Sequence, residues 1–120
     1  MSDEAAATET ELDAARVAEL IEAGAEIVDV RRPYEYEGGR IEGSRNVEMN
    51  ALPASAESIS RDRPVVFVCR SGNRSGMARD AFREAGYDAY NLAGGMEAWA
   101  EAGLPLDPPD GEVRSPLPAS

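Results

Sequence analysis

Apolar and polar positions alternate along this chain in two different periods. From Ala14 to Ala23, Val17, Leu20 and Ile21 fall on one face of a helical repeat, with Asp13 placed to cap the start and Gly24 to end it. Ile27-Val28-Asp29-Val30 then reads as a buried strand. Val65-Val66-Phe67-Val68 is an unbroken apolar run of the kind found in central parallel strands. A second helix is expected after it, with Ser75 as cap, Gly86 as stop, and Met77, Ala78, Ala81, Phe82 and Ala85 facing inward. Ala89 to Leu92 is a short strand, and Met96 to Ala102 a short helix that ends at Gly103, with Pro105 beyond. The triplet Glu-Ala-Gly closes all three helices, at 22–24, 84–86 and 101–103, as shared C-cap chemistry.

Strands alternating with helices predict an α/β layer fold with a mainly parallel sheet, in which ligands bind at the carboxyl ends of the strands. The pattern covers about residues 9–106. Residues 1–8 are Ala, Glu, Asp, Ser and Thr behind Met1, offer no apolar face, and are expected to be disordered. Residues 107–120 hold four prolines without periodicity and are expected to form a flexible tail.

Composition removes whole classes of function. There is no histidine, which excludes the Ser-His-Asp triad, the Cys-His dyad and His-ligated zinc. The single cysteine excludes an internal disulfide, a Cys-x-x-Cys redox pair and a cysteine-built metal cluster, so neither a metal nor a cofactor is expected. The formal net charge of −11 argues against a nucleic-acid partner. No basic segment precedes an apolar run at the start, and no stretch approaches the roughly 20 apolar residues of a membrane span, so the chain is read as cytoplasmic, without a membrane partner. All 12 basic residues are arginine against 23 acids, a balance read as adaptation to a salt-rich cytoplasm.

The chemistry lies in Cys69-Arg70-Ser71-Gly72-Asn73-Arg74-Ser75, between the most apolar strand and a helix. A loop in that place can turn its backbone N–H groups toward one centre, and the helix start adds partial positive charge. Arg70 and Arg74 bring charges that do not titrate near neutrality, and Gly72 lets backbone come close to a bound group. Cys69, at the head of the loop, is expected to be at least partly thiolate at neutral pH and to act as a nucleophile, with the rest of the loop binding an anion.

With these residues in place the chain resembles a single-domain rhodanese. The resemblance rests on three blocks in order: Asp29 to Tyr36 with Gly39 to Asn46, then Cys69 to Ser75, then Leu92 to Trp99. It implies a five-stranded, mainly parallel sheet flanked by helices on both faces, a Cys69 persulfide, and sulfur transfer from thiosulfate or another sulfane donor to a thiol or protein acceptor. It also implies that Asp29 and Arg31 support the active-site loop, for which a structural ion pair is the preferred role. The family commonly has histidine where this chain has Arg40. Two other functions fit a cysteine in such a loop. One is a non-enzymatic sulfur carrier or regulatory module; the other is a Cys-dependent phosphatase or arsenate reductase. Four residues separate Cys69 from Arg74, one fewer than in the Cys-x5-Arg loop of those phosphatases, which favours a single sulfur atom over a phosphoryl group. Trp99 and Tyr90 are read as packing residues.

Overall fold

The computed structural model describes residues 9–115; the first eight residues, read above as a disordered tail, lie outside them. Five strands are present: β1 (Glu11–Leu12), β2 (Glu26–Asp29), β3 (Arg45–Asn46), β4 (Val65–Val68) and β5 (Ala89–Leu92). They form one sheet in the order β1-β5-β4-β2-β3, with every pairing parallel. Four α-helices lie between them, α1 (Ala14–Glu22), α2 (Pro33–Gly38), the short α3 (Leu52–Ser55) and α4 (Asn73–Glu84), and α5 (Gly95–Glu101) follows β5. The doubly flanked parallel sheet expected from the sequence is therefore present.

All four residues of β4 are fully buried because the strand is central and covered on both faces. Its alternation feeds two cores. Val65 and Phe67 pack with Val28, Leu52, Ala78, Phe82 and Tyr87 under α3 and α4. Val66 and Val68 pack with Val17, Ile27, Leu92, Met96 and Trp99 under α1 and α5. Phe82 sits between Phe67 and Tyr87, with ring centroids 4.8 and 4.7 Å away. Trp99 and Tyr90 serve packing as expected; the Trp99 indole N–H is satisfied by the Pro105 carbonyl at 2.8 Å.

The sequence placed α1 well: Asp13 accepts from the Arg16 N–H at 2.9 Å as its cap. Gly24, Gly86 and Gly103 all take positive φ, as the shared Glu-Ala-Gly ending requires. Three expectations are corrected. Helix α4 starts at Asn73 behind Gly72, so Ser75 lies inside its first turn and does not cap it. Met77, Ala81 and Ala85 face outward, Met77 being 61% exposed, because the buried stripe of α4 runs through Ser75, Ala78 and Phe82. They line one side of an apolar groove whose other side carries Met49, Leu52 and Pro53. Residues 107–115, read from the sequence as part of a flexible tail, lie back along α2. Asp107 and Arg40 exchange backbone hydrogen bonds, the Glu112 N–H reaches the Gly38 carbonyl at 2.8 Å, and Val113 joins the second core. Arg40 also stacks over Tyr36 and pairs with Asp107 at 3.5 Å. None of these contacts touches the 69–74 loop.

Candidate active site

Strand β4 delivers Cys69 to the carboxyl edge of the sheet, beside the end of β2. The chain turns through Gly72, which takes φ +104°, and enters α4. This turn folds the loop back over its own cysteine. The Gly72 N–H points at Cys69 Sγ at 3.0 Å, and the Ser75 N–H, from the first turn of α4, at 3.5 Å. Ser75 Oγ stands 3.3 Å from the same sulfur. Backbone donors thus converge on Sγ as the sequence implied. Cys69 is fully buried.

Helix α5 holds the loop from the other side. The Met96 N–H donates to the Cys69 carbonyl at 2.8 Å and the Glu97 N–H to the Arg70 carbonyl at 3.0 Å. The approach is close enough that a Cβ on Gly95 would fall 2.4 Å from the Cys69 carbonyl oxygen, so only glycine fits there.

Beside the loop a cleft of about 730 Å³ opens to solvent. Val30, Arg32, Glu48, Met49, Asn50, Arg70, Ser71, Asn73 and Arg74 line it. The two loop arginines do not stand alone in it. Arg70 pairs with Glu97 at 3.1 Å near the surface. Arg74 makes a forked pair with Glu35 of α2, Nη1 to Oε1 and Nη2 to Oε2, both 3.1 Å. The positive charge expected from the sequence is thus partly answered by the Glu97 and Glu35 carboxylates.

Glu35 has no solvent exposure. Burial pushes its carboxyl upward, but the Arg74 hydrogen bonds, the Arg32 backbone N–H at 3.1 Å and the charges of Arg74 and Arg31 outweigh burial and hold it below its usual range. The Glu35 bond is in turn the leading reason the Arg74 guanidinium is held more firmly protonated.

Asp29 and Arg31 are both buried and paired, Nε to Oδ1 at 2.9 Å and Nη2 to Oδ2 at 2.7 Å. Arg31 Nη2 also donates to the Gly39 carbonyl at 2.9 Å, and Asn46 Nδ2 donates to the Asp29 and Arg31 carbonyls. The pair ties the end of β2 to the end of α2. Its path to the loop runs through α2, Glu35 and Arg74, not through direct contact with Cys69.

Sequence reasoning missed two residues of this site. Glu35 is one acid among 23 and carries no signal beyond its place three residues after Arg32, as in a helix first turn. Asn91 lies in the middle of a strand, where nothing local marks it. Among the described residues, no group of three or more potential ligands could hold a metal ion, and no helix is long and apolar enough to cross a membrane.

The fold and site together define a small parallel α/β domain that holds its one cysteine in an N–H-lined loop at the end of the central strand. The family model described as Rhodanese-like domain matches residues 13–102, and the chain belongs to that family. Among its relatives, the thiosulfate sulfurtransferase GlpE of Pseudomonas aeruginosa is 37% identical over 100 residues, covering 82% of this chain and 90% of that protein. A sulfurtransferase of Allochromatium vinosum is 41% identical over 86 residues, covering 71% of this chain and 80% of that one. The crystal structure of a rhodanese-related protein from Thermoplasma volcanium superposes with a TM-score of 0.76 at 31% identity, over 80% of this chain and 95% of that one.

Proposed function

We propose that this protein is a sulfurtransferase that carries sulfane sulfur on Cys69. It takes the sulfur from thiosulfate or a persulfide and passes it to a thiophilic acceptor, either a small thiol or a protein thiol. The observation that carries the reading is Cys69 Sγ at the floor of the loop, 3.0 Å from the Gly72 N–H, with Arg70 and Arg74 at the edge of the adjoining cleft. Relatives named as sulfurtransferases support the reaction class, and those named for thiosulfate support the donor.

In the first half-reaction Cys69 Sγ attacks the outer sulfur of thiosulfate. A new S–S bond forms on Cys69 as the bond between the two thiosulfate sulfurs breaks. Its electron pair leaves with sulfite, and the thiol proton passes to sulfite or solvent. The terminal sulfur of the persulfide then bears the negative charge, which backbone N–H groups of the loop and the Arg74 guanidinium stabilise. In the second half-reaction an acceptor thiolate attacks that terminal sulfur, and Cys69 leaves as thiolate. No step needs an imidazole, because sulfite and thiolate leave as anions. Cys69 is covered in the resting state, so a donor enters by displacing side chains at the border of the cleft. In this reading the working compartment is the cytoplasm, where acceptor thiols stay reduced.

A side-by-side assay tests the reading. Thiosulfate with cyanide as acceptor is expected to give Cys69-dependent turnover in a ping-pong pattern, abolished in Cys69→Ser, with negligible hydrolysis of p-nitrophenyl phosphate. Cys69-dependent phosphatase turnover without thiosulfate activity would overturn it in favour of the phosphatase.

A further inference from the structure

Asn91 of β5 is buried, and both protons of its amide are committed. Nδ2 donates to the Gly72 carbonyl at 3.1 Å and to Glu11 Oε2 of β1 at 2.8 Å. Both partners are pure acceptors, which fixes the amide in one orientation and leaves Oδ1 as the atom that meets Ser75 Oγ, at 2.5 Å. An amide oxygen cannot donate. The single hydroxyl proton of Ser75 therefore goes to Asn91.

From this proton count we infer that Asn91 is a positioning residue that turns Ser75 into a hydrogen-bond acceptor toward Cys69, so that Ser75 holds the resting thiol in its S–H form. The hydroxyl lies 3.3 Å from Sγ; with its one proton on Asn91, it offers the sulfur a lone pair. For Ser75 to donate to a thiolate, its hydroxyl must rotate away from Asn91 and leave a buried amide oxygen without a donor, at a cost of about 1–3 kcal/mol. Activation of the sulfur then rests on the Gly72 and Ser75 backbone N–H groups and on Arg74, while the Ser75 side chain works against it. A persulfide has no proton on its inner sulfur, so loading releases the Ser75 acceptor without disturbing the bond to Asn91. The resting thiol is thereby guarded more than the loaded site is.

The inference rests on Cys69 being the working thiol of the proposed reaction, but its readout does not require sulfur transfer. The charged groups on the elements around Cys69 are Arg70 and Arg74 of the loop and helix, Arg32 and Glu48 in the cleft wall, Glu35 of α2, Asp29 and Arg31 at the end of β2, Glu97 of α5, and Glu11 with Arg79 and Asp80 behind Asn91. None is altered in the variants below, so a change between variants reports the neutral Ser75–Asn91 pair.

The test is a pH titration of thiolate ultraviolet absorbance in the full chain, taken as a difference against Cys69→Ser. Ser75→Ala is expected to move the midpoint down by roughly half to one pH unit, the worth of one hydrogen bond to the thiol. Ser75→Thr, which keeps the hydroxyl, is expected to restore the original midpoint. Asn91→Ala is expected to lower the midpoint more when Ser75 is present than in the Ser75→Ala background, the signature of action through the hydroxyl. A midpoint that rises or stays fixed in Ser75→Ala overturns the inference, because it makes Ser75 a donor or a bystander. Equal effects of Asn91→Ala in the two backgrounds overturn the role of Asn91. If Asn91→Ala does not fold, the sign of the shift in Ser75→Ala against Ser75→Thr decides alone.

Discussion

Glu35 and Arg74 form a forked ion pair that joins helix α2 to the mouth of the cysteine loop, with the carboxylate wholly buried and the guanidinium about two-thirds buried. The pair aims Arg74 across the loop and spends two of its five N–H donors in doing so. Glu35→Gln keeps the shape but loses the charge and one acceptor. It is expected to cost about 1–3 kcal/mol in urea unfolding. It is also expected to lower kcat/KM for thiosulfate, because Arg74 is no longer held in place. Unchanged stability and unchanged kinetics would together remove Glu35 from the site.

The same pair sets a pH dependence. The Glu35 carboxyl titrates below its unfolded range, so its contribution is fully present above that range and is lost as pH falls through the folded value. Melting curves of the parent protein and Glu35→Gln are expected to differ most near neutrality and to converge in acid. A gap that stays constant down to acid unfolding would mean that the charge of Glu35 contributes nothing.

Asp29 and Arg31 are both buried, and among the described residues Arg31 Nη1 has no partner even with the pair intact. Asp29→Ala strands a buried guanidinium and is expected to cost about 3–5 kcal/mol. Denaturant unfolding checks the value. A loss below about 1 kcal/mol, the range of an exposed pair, would contradict a bracing role.

How far the sequence reached depends on whether a residue's partners are local. Val65–Val68, the Asp13 cap and the three Glu-Ala-Gly endings were legible because each is set by neighbours in the chain. Strands β1 and β3 have two residues each and carry no period, so pairing alone reveals them. The start of α4 was placed late because Ser75 resembles a cap, whereas its hydroxyl is taken up by Cys69 and Asn91. Cys69 and its loop were legible because the chemistry is contiguous in sequence. The Glu35–Arg74 pair spans 39 residues and the Asn91–Glu11 bond 80, and no local pattern reports such distances. The packed stretch 107–115 was missed because its order comes from backbone bonds to Gly38 and Arg40, not from its own composition.

The acidic, lysine-free composition makes its own prediction. With a formal net charge of −11 on 120 residues, self-repulsion opposes the compact state, and molar KCl screens it. The melting temperature is expected to rise from low salt to molar KCl. A flat or falling curve would set aside adaptation to a salt-rich cytoplasm.

The central claim is that Cys69 carries sulfur, and intact-protein mass spectrometry after incubation with thiosulfate tests it most directly. The chain has one cysteine, so the site of any persulfide is unambiguous. The predicted result is a gain of one sulfur atom per chain that disappears on adding cyanide or a thiol and is absent in Cys69→Ser. A protein whose mass stays unchanged with thiosulfate and with a small-molecule persulfide donor, while Cys69 remains reduced and the chain folded, would contradict the account.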